Sequence, residues 1–329
     1  MRLSVLDQSP VPEGMTGAQA LRNTIDLARH CDALGFHRYW VAEHHGGPSL
    51  AGPSPEVLIG PIASATSRMR VGSGGVMLPH YSPLKVAESF SLLSGLFPGR
   101  IDLGLGRASG TDPLTTFALQ RDRREHAPDD FPQQLAELLG YLDGTLPPDH
   151  PFKRLEATLP GRPETPEPWL LGSSPQSAEW AAQLGLPYSF ADFINPNGAD
   201  IARSYAAQCV ATPRVMVAAW VICAESDEEA QRLASSSRMT LTLLRQGRLI
   251  PVPPVDKALR FLESQGSRET AGRRAIIGSP AKVRQRLEEV ASAYAAEEAM
   301  LVTITHSHEA RKRSYELVAE AFADVLAAA

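Results

Sequence analysis

The amino-acid sequence predicts a (β/α)8 barrel (TIM barrel) that spans residues 1–329. Eight short apolar segments alternate with amphipathic stretches, and strands joined by helical crossovers form parallel sheets. A long irregular stretch at residues 108–168 comes directly after a strand, where a barrel carries its active-site loops. The same alternation would also suit an open doubly wound sheet. Eight units over 329 residues favour the closed barrel.

The first four strands are expected within residues 3–105. Their predicted bounds are 3–6, 39–42, 70–74 and 101–105, with intervening helices at 17–34, 55–66 and 83–94. In the first helix, Leu21, Ile25, Ala28 and Cys31 recur at helical spacing. Gly35 follows at the position where glycine commonly ends a helix.

The alternation resumes after an irregular stretch at residues 108–168, which contains one expected helix at 132–142. The remaining predicted strands are 169–171, 188–191, 214–222 and 300–304, with helices at 175–184, 199–209, 227–244 and 280–294 and a final amphipathic helix ending near Leu326. Residues 246–278, which contain three prolines near their start, are expected to be irregular. Both irregular stretches are interpreted as long βα-loop insertions within one domain.

Composition excludes several classes of protein. The net charge is −5 without a basic stripe, which argues against nucleic-acid binding. No segment approaches the roughly 18 apolar residues of a membrane span, and the N-terminus lacks a signal-peptide pattern. Three widely spaced cysteines indicate reduced thiols and a cytoplasmic location. No metal-ligand spacing accompanies the histidines, so no metal site is expected.

Two motifs at strand ends are candidates for chemistry. Glu43-His44-His45 closes the second strand, where barrel enzymes place catalytic groups. Adjacent histidines of an extended segment point to opposite sides, so one of them could simply pack. The run Gly72–Gly75 ends the third strand. It would admit a flat ligand close to the backbone or form an ordinary turn.

Two further motifs suit a phosphate group. Gly104-Leu105-Gly106-Arg107 lacks the third glycine of a dinucleotide fingerprint, but its guanidinium would emerge at the catalytic rim. Ser173, Ser174 and Ser177 surround the start of a helix, whose free N–H groups and dipole bind anions. Plain helix capping would need only one serine. A nucleophilic serine is not expected without a G-x-S-x-G turn.

Taken in order, these motifs resemble the bacterial luciferase-like flavin monooxygenase family. The similar segments are residues 40–45, 71–79, 83–88, 98–107 and 173–182. They are distributed in family order across the first 190 residues, whereas the C-terminal part is similar only in its strand–helix rhythm.

The resemblance implies a barrel that binds reduced FMN, which reacts with O2 to a C4a-hydroperoxide that oxidises a small organic substrate such as an aldehyde. It implies that His44 acts as a base or hydrogen-bond partner near the flavin. The remaining implied cofactor-binding residues are Gly74 and Gly75, joined by a cis peptide beneath the ring, Met77 near the ring, and Arg107, Ser173, Ser174 and Ser177 at the phosphate.

One position departs from the family, and several alternatives stay open. Gly106 stands where true luciferases carry a cysteine, so light emission is not expected. Because no pyridine-nucleotide fingerprint is present, a separate flavin reductase is expected to supply reduced FMN. The alternatives are an F420-dependent hydride-transfer enzyme on the same barrel and a non-catalytic flavin-binding protein. An aldolase-like barrel is disfavoured because no predicted strand ends in lysine.

The sequence also predicts a homodimer. The helix at 55–66 is apolar or small around much of its circumference, with Val57, Leu58, Ile59 and Ile62 as its large residues. A single barrel needs only one apolar stripe per helix. The resemblance to luciferase-like proteins, which pair through the same helices, implies a two-fold dimer through helices 55–66 and 83–94. The alternative is that the insertion 108–168 covers this surface.

Overall fold

The computed structural model describes residues 1–107, 112–119, 129–265 and 275–327, and eight parallel strands in it close into a barrel. Strand β1 pairs with both β2 and β9, and β6 pairs with both β5 and β7, so the ring of eight strands is closed. The barrel strands are β1 (Arg2–Asp7), β2 (Arg38–Val41), β3 (Arg70–Met77), β4 (Ile101–Gly106), β5 (Glu167–Gly172), β6 (Tyr188–Ala191), β7 (Val215–Cys223) and β9 (Glu298–Val302). The predicted barrel is confirmed, and the open doubly wound sheet is wrong.

A ninth strand, β8 (Ala275–Gly278), lies outside the closed ring. It pairs with Trp220–Cys223 of β7, beyond the residues 215–218 that pair with β6. The prediction that residues 246–278 form an irregular βα-loop is therefore wrong, because this stretch follows helix α8 and also contains a helix at Val255–Ser264. Residues 266–274 of the stretch lie outside the described residues. Pro254 immediately precedes that helix. The prolines that suggested irregularity thus stand where proline is well tolerated, before or at the first helical turn.

Helices surround the barrel and follow most of its strands. Their bounds are α1 (Gly17–Leu34), α2 (Pro55–Ala65), α3 (Pro83–Leu96), α4 (Pro113–Leu119), α5 (Phe131–Asp143), α6 (Pro175–Leu184), α7 (Ala199–Gln208), α8 (Asp227–Arg245), α9 (Val255–Ser264), α10 (Pro280–Tyr294), α11 (His308–Ala321) and α12 (Ala323–Leu326). Thr16 caps α1 together with Gln19, and Gly35 ends it in the left-handed conformation. Local capping chemistry thus sets the ends of α1 as predicted.

The barrel interior is filled in its lower and middle parts and left open at the top. Side chains alternate along each strand: Leu3 and Val5 pack against the helices, whereas Leu6 packs inside the barrel with Trp40 and Trp169. Near the C-terminal ends of the strands, the interior residues are mostly small. They are Ala42, Gly74, Gly106, Ala191 and Ala218. This change in side-chain size leaves a cavity where barrel enzymes place their active sites.

The bottom of the barrel is closed by buried charges. The Arg38 guanidinium lies 2.8 Å from Asp102, 2.7 Å from Glu167 and 3.0 Å from Glu298. Asp102 and Glu298 are fully buried. Arg38 also lies over the Trp169 ring at 4.9 Å. The strands β2, β4, β5 and β9 are thereby joined by ion pairs at their N-terminal ends.

The exposed apolar residues of α2 and α3 differ from those that the sequence suggested for a dimer surface. Of the large residues of this helix, Ile59 and Ile62 on α2 are fully buried in the core of the protomer, so they do not form a second apolar face. The apolar side chains exposed on α2 and α3 are instead Val57 at 69%, Leu92 at 49% and Leu96 at 64%. The insertion covers part of α3, because Gly161 N–H donates to Ser91 Oγ at 2.9 Å.

Candidate active site

The residues proposed from the sequence lie together around one cavity at the C-terminal ends of the strands. This first cavity has a volume of about 430 Å³, within the usual range of small-molecule sites. The predicted residues that line it are His44, Gly74, Gly75, Met77, Arg107, Ser173, Ser174 and Ser177. Residues up to 133 positions apart in sequence therefore meet at one place.

One wall of the first cavity is made of glycine backbone from β3 and β4. The peptide bond between Gly74 and Gly75 is cis, as the family resemblance implies. A Cβ on Gly74 would lie 2.5 Å from Leu6 Cδ1, and a Cβ on Gly75 would lie 2.8 Å from the Gly104 carbonyl oxygen. Gly72–Gly75 lies within β3, which continues to Met77, so the turn considered as an alternative is wrong. At Gly106 a Cβ would meet nothing within 4 Å, so this glycine enlarges the cavity.

The other end of the first cavity is the N-terminus of α6. Ser174 caps the helix by accepting the Ser177 N–H at 3.4 Å. The Ser177 hydroxyl lies 2.9 Å from the Ser174 carbonyl and 2.8 Å from the Tyr188 hydroxyl. Burial raises the pKa of Tyr188 to about 12, so its hydroxyl keeps its proton at neutral pH. Ser174 and Ser177 thus stabilise the start of α6, besides lying next to its free N–H groups.

Arg107 stands beside this helix terminus. Its guanidinium lies 5.5 Å from the centre of the Trp180 ring and 3.0 Å from an Asp129 carboxylate oxygen. Both members of the ion pair are at least half exposed, and such pairs are worth at most about 1 kcal/mol. An anion in the cavity would therefore compete with Asp129 for Arg107 at little cost.

The histidine pair follows β2 and is held by a buried carboxylate. Glu43 is fully buried, accepts the Met77 N–H at 2.9 Å, and lies 2.7 Å from His45 Nε2. Burial, followed by the charge of Glu43, raises the pKa of Tyr81 well above its usual value. His44 lines the first cavity, whereas His45 does not. The His44 backbone N–H donates to the Gly52 carbonyl at 3.0 Å, which fixes the start of the loop after β2.

A second cavity of about 560 Å³ adjoins the first. The two share Gln8, His44, Phe193 and Ile194 as lining residues, so His44 lies at their junction. Sequence reasoning missed Gln8, Phe193 and Trp180. The signal that could have found Gln8 is strand alternation, because Leu6 and Gln8 are two residues apart at the end of β1.

Other kinds of centre find no support in the described part of the chain. No group of three or more His, Cys, Asp or Glu side chains within it could hold a metal ion. Cys31, Cys209 and Cys223 are free thiols, and burial raises the pKa of Cys223 to about 12, which disfavours a thiolate. None of the helices searched there is long and apolar enough to cross a bilayer.

The same fold occurs in proteins that bind two different cofactors. One is the oxygenating constituent of 3,6-diketocamphane monooxygenase from Pseudomonas putida in complex with FMN, with a TM-score of 0.76, 18% identity and 98% coverage of both chains. Another is an F420-dependent secondary alcohol dehydrogenase, with a TM-score of 0.63, 13% identity and coverage of 97% and 98%. At these identities the likeness shows the fold alone.

Closer similarities extend over nearly the whole chain. The luciferase-like monooxygenase family model matches residues 1–297. The luciferase-like monooxygenase of Escherichia coli K12 is 38% identical, covering 98% of this chain and 97% of the relative. N-acetyl-S-alkylcysteine monooxygenase of Bacillus subtilis is 37% identical over 98% of both. The crystal structure of apo-MsnO8 superposes with a TM-score of 0.89 at 43% identity over 98% of both chains. The barrel, its C-terminal cavity and these matches together show that the chain belongs to the luciferase-like monooxygenase family, as an oxidoreductase of the monooxygenase class.

Proposed function

We propose that the protein is an FMN-dependent monooxygenase that uses reduced FMN and O2 to oxidise a small organic substrate. The observation that carries this proposal is the first cavity, which has a helix N-terminus and Arg107 at one end and glycine backbone with His44 at the other. Helix N–H groups and a guanidinium suit the FMN phosphate. The glycine wall and Met77 suit a flat ring, and a separate reductase would supply the reduced cofactor.

The chain's own residues would bind, orient and shield the reactants. Reduced FMN, when bound, supplies the electrons with which O2 is activated. Phe131, Leu170 and Met300 line the first cavity and are almost fully buried, so they would keep water from the reacting atoms. The His44 imidazole stands where the two cavities meet. In this proposal it donates or accepts the proton that oxygen transfer to the substrate requires.

The cofactor can be tested by adding FMN or F420 to the purified protein. Tight binding of FMN, seen as a shifted flavin absorbance spectrum, and oxygen consumption with reduced FMN and an aldehyde or ketone panel are expected. Binding of F420 with hydride transfer to a carbonyl substrate would replace this proposal by the F420-dependent alternative. Flavin binding without any substrate-dependent turnover would indicate a non-catalytic flavoprotein.

The role of His44 can be tested against its neighbour. His44→Ala should lower turnover by about 10²–10⁴-fold, as expected for loss of general acid–base catalysis. It should leave the FMN dissociation constant nearly unchanged. His45→Ala should have a smaller effect on turnover, because His45 contacts Glu43 and does not line the first cavity. Equal losses from both substitutions would refute the assignment.

We also propose a cytoplasmic homodimer. Val57 on α2 and Leu92 and Leu96 on α3 are exposed apolar side chains that a partner would cover, and the three free cysteines suit a reducing compartment. Light scattering at micromolar concentration should give the mass of a dimer. Leu96→Asp should shift the mass toward the monomer, whereas Leu184→Asp, on an exposed leucine of α6, should not. A monomeric wild-type protein would exclude the dimer.

A further inference from the structure

We infer that the second cavity binds the apolar body of an uncharged substrate, and that Gln8 donates a hydrogen bond to a polar acceptor group at the substrate's reacting end. This inference rests on the proposed function, because it takes the junction with the first cavity as the place of reaction. The substrate class is therefore a neutral amphipathic molecule with one carbonyl-like or similar acceptor group.

The walls of the second cavity are largely apolar. Its apolar lining includes Leu50, Trp220, Leu241, Leu244, Leu249 and Ile304, from the loop after β2, from β7, from α8, and from the segments after α8 and β9. Three hydroxyls interrupt this lining, those of Ser49, Ser237 and Thr240, and the two on α8 donate to carbonyls of their own helix. The Ser237 hydroxyl donates to the Ala234 carbonyl and the Thr240 hydroxyl donates to the Ser236 carbonyl, each at 3.0 Å. The cavity therefore favours hydrocarbon over a polar chain.

The described lining of the second cavity offers an anion only the imidazoles of His44 and His45, and His45 already contacts Glu43. No lysine or arginine is present among its described residues, and Asp112 is the one carboxylate there. The Asp112 carboxylate accepts the N–H groups of Leu114 and Thr115, at 3.0 and 3.1 Å, at the start of α4. A substrate carboxylate or sulfonate would lose its hydration in this cavity without gaining a counter-ion, which is costly. The charge distribution of the described lining therefore favours a neutral substrate.

Gln8 and His44 are the two polar side chains among the four residues shared by the cavities. The backbone beside Gln8 is firmly held, because the fully buried Asp7 accepts the Ser9 N–H at 2.7 Å and pairs with Arg311 at 2.6 Å. A carboxamide provides two N–H donors and one carbonyl acceptor without a charge. Gln8 can thus orient a substrate carbonyl at the junction of the two cavities, while the His44 imidazole donates or accepts the proton.

Binding can be tested without flavin or turnover, with 2-octanone as the neutral probe and octanoate as its anionic counterpart. Both are titrated into the purified full chain while tryptophan fluorescence is followed, with Trp220→Phe as the variant that assigns the signal to the second cavity. We expect saturable binding of 2-octanone and at least about tenfold weaker binding of octanoate. Equal affinity for octanoate, or no saturable signal from 2-octanone, would overturn the inference.

Two substitutions separate the apolar wall from the polar junction. Leu244→Asp, in the second cavity, should weaken 2-octanone binding by at least about tenfold. Leu184→Asp should not, although the two leucines are equally exposed at 42% and 43% and each lies near the C-terminus of its helix. Gln8→Leu should weaken 2-octanone binding by about 3- to 10-fold, the value of one neutral hydrogen bond.

The outcomes distinguish this inference from the proposed function. Unchanged 2-octanone affinity in Gln8→Leu would overturn the role of Gln8, and equal effects of the two leucine substitutions would overturn the cavity assignment. If 2-octanone binds as expected but reduced FMN and O2 give no turnover of any neutral carbonyl compound, the proposed function fails while the binding site stands.

Discussion

Gly172 decides how closely the N-terminus of α6 approaches the end of β5. A Cβ at this position would overlap Ser177 Oγ and lie 2.5 Å from Ser177 Cβ. Rotating the serine side chain would move the hydroxyl but not its Cβ. In Gly172→Ala the first turn of α6 must therefore shift by about 1 Å to restore normal contact. That displacement would misplace the N–H groups proposed to bind the FMN phosphate.

The expected consequence is a selective loss of phosphate binding. Losing one charged hydrogen bond costs about 1.5–3 kcal/mol, so the affinity for FMN should fall by roughly 10- to 100-fold. Riboflavin has the same ring but no phosphate, so its affinity should change little. Both dissociation constants can be measured by quenching of flavin fluorescence. Gly60→Ala serves as the control, because a Cβ there would meet only Leu93 at 3.8 Å.

Two results would refute this reasoning. Equal losses of FMN and riboflavin affinity would mean that Gly172 shapes the ring site or the whole barrel. Unchanged FMN affinity would mean that the phosphate binds elsewhere. Thermal unfolding of the variant distinguishes a local shift from a general loss of stability, since overpacking of a tight site costs about 1–3 kcal/mol.

Three further predictions concern charge. Asp129→Asn should strengthen FMN binding by about 1.5- to 5-fold at low salt, because it releases Arg107 from an exposed ion pair. Weaker FMN binding in titrations would show instead that Asp129 helps to hold the cofactor. Arg38→Met should lower the free energy of unfolding in urea by about 3–5 kcal/mol, because it leaves carboxylates buried without a counter-ion. Arg203→Met, at an exposed pair, should cost less than about 1 kcal/mol, and similar costs for both would contradict the argument. Burial and the neighbouring arginines lower the pKa of His37 to about 4 from 6.5. Between pH 6.5 and pH 4 the unfolded chain therefore binds more protons than the folded protein. The free energy of unfolding should accordingly fall as pH decreases from 6.5 to 4. After allowance for partial solvent screening the loss should be about 1–2 kcal/mol, and His37→Gln should flatten that part of the pH profile; an unchanged profile would show that His37 is not responsible.

The sequence alone determined the features that depend on neighbouring residues. The predicted bounds of α1, α6 and α10 agree with the structure, because apolar periodicity and terminal residues such as Thr16 and Gly35 act within one or two turns. The strand–helix alternation was enough to predict the barrel. It also predicted that residues at strand ends would meet, since parallel strands bring their C-terminal ends to one side.

Short or ambiguous apolar stretches were not decided by the sequence. Strand β8 has only four residues and ends a stretch that begins with three prolines, so it resembles a loop until its partner β7 is known. On α2, Ile59 and Ile62 face the core and Val57 faces solvent. Because the helix is apolar on several sides, only packing against the barrel determined which side is buried.

Tertiary structure alone decided which distant side chains share a site. Arg38 contacts Glu298 across 260 positions of sequence, and Gln8 reaches the junction of two cavities whose walls come from most of the chain. The close approach that requires Gly172 likewise depends on where α6 docks on β5. Local sequence specifies the conformation of each segment through short-range contacts. Barrel closure and strand register, which are set by the packing of all segments together, determine which side chains meet.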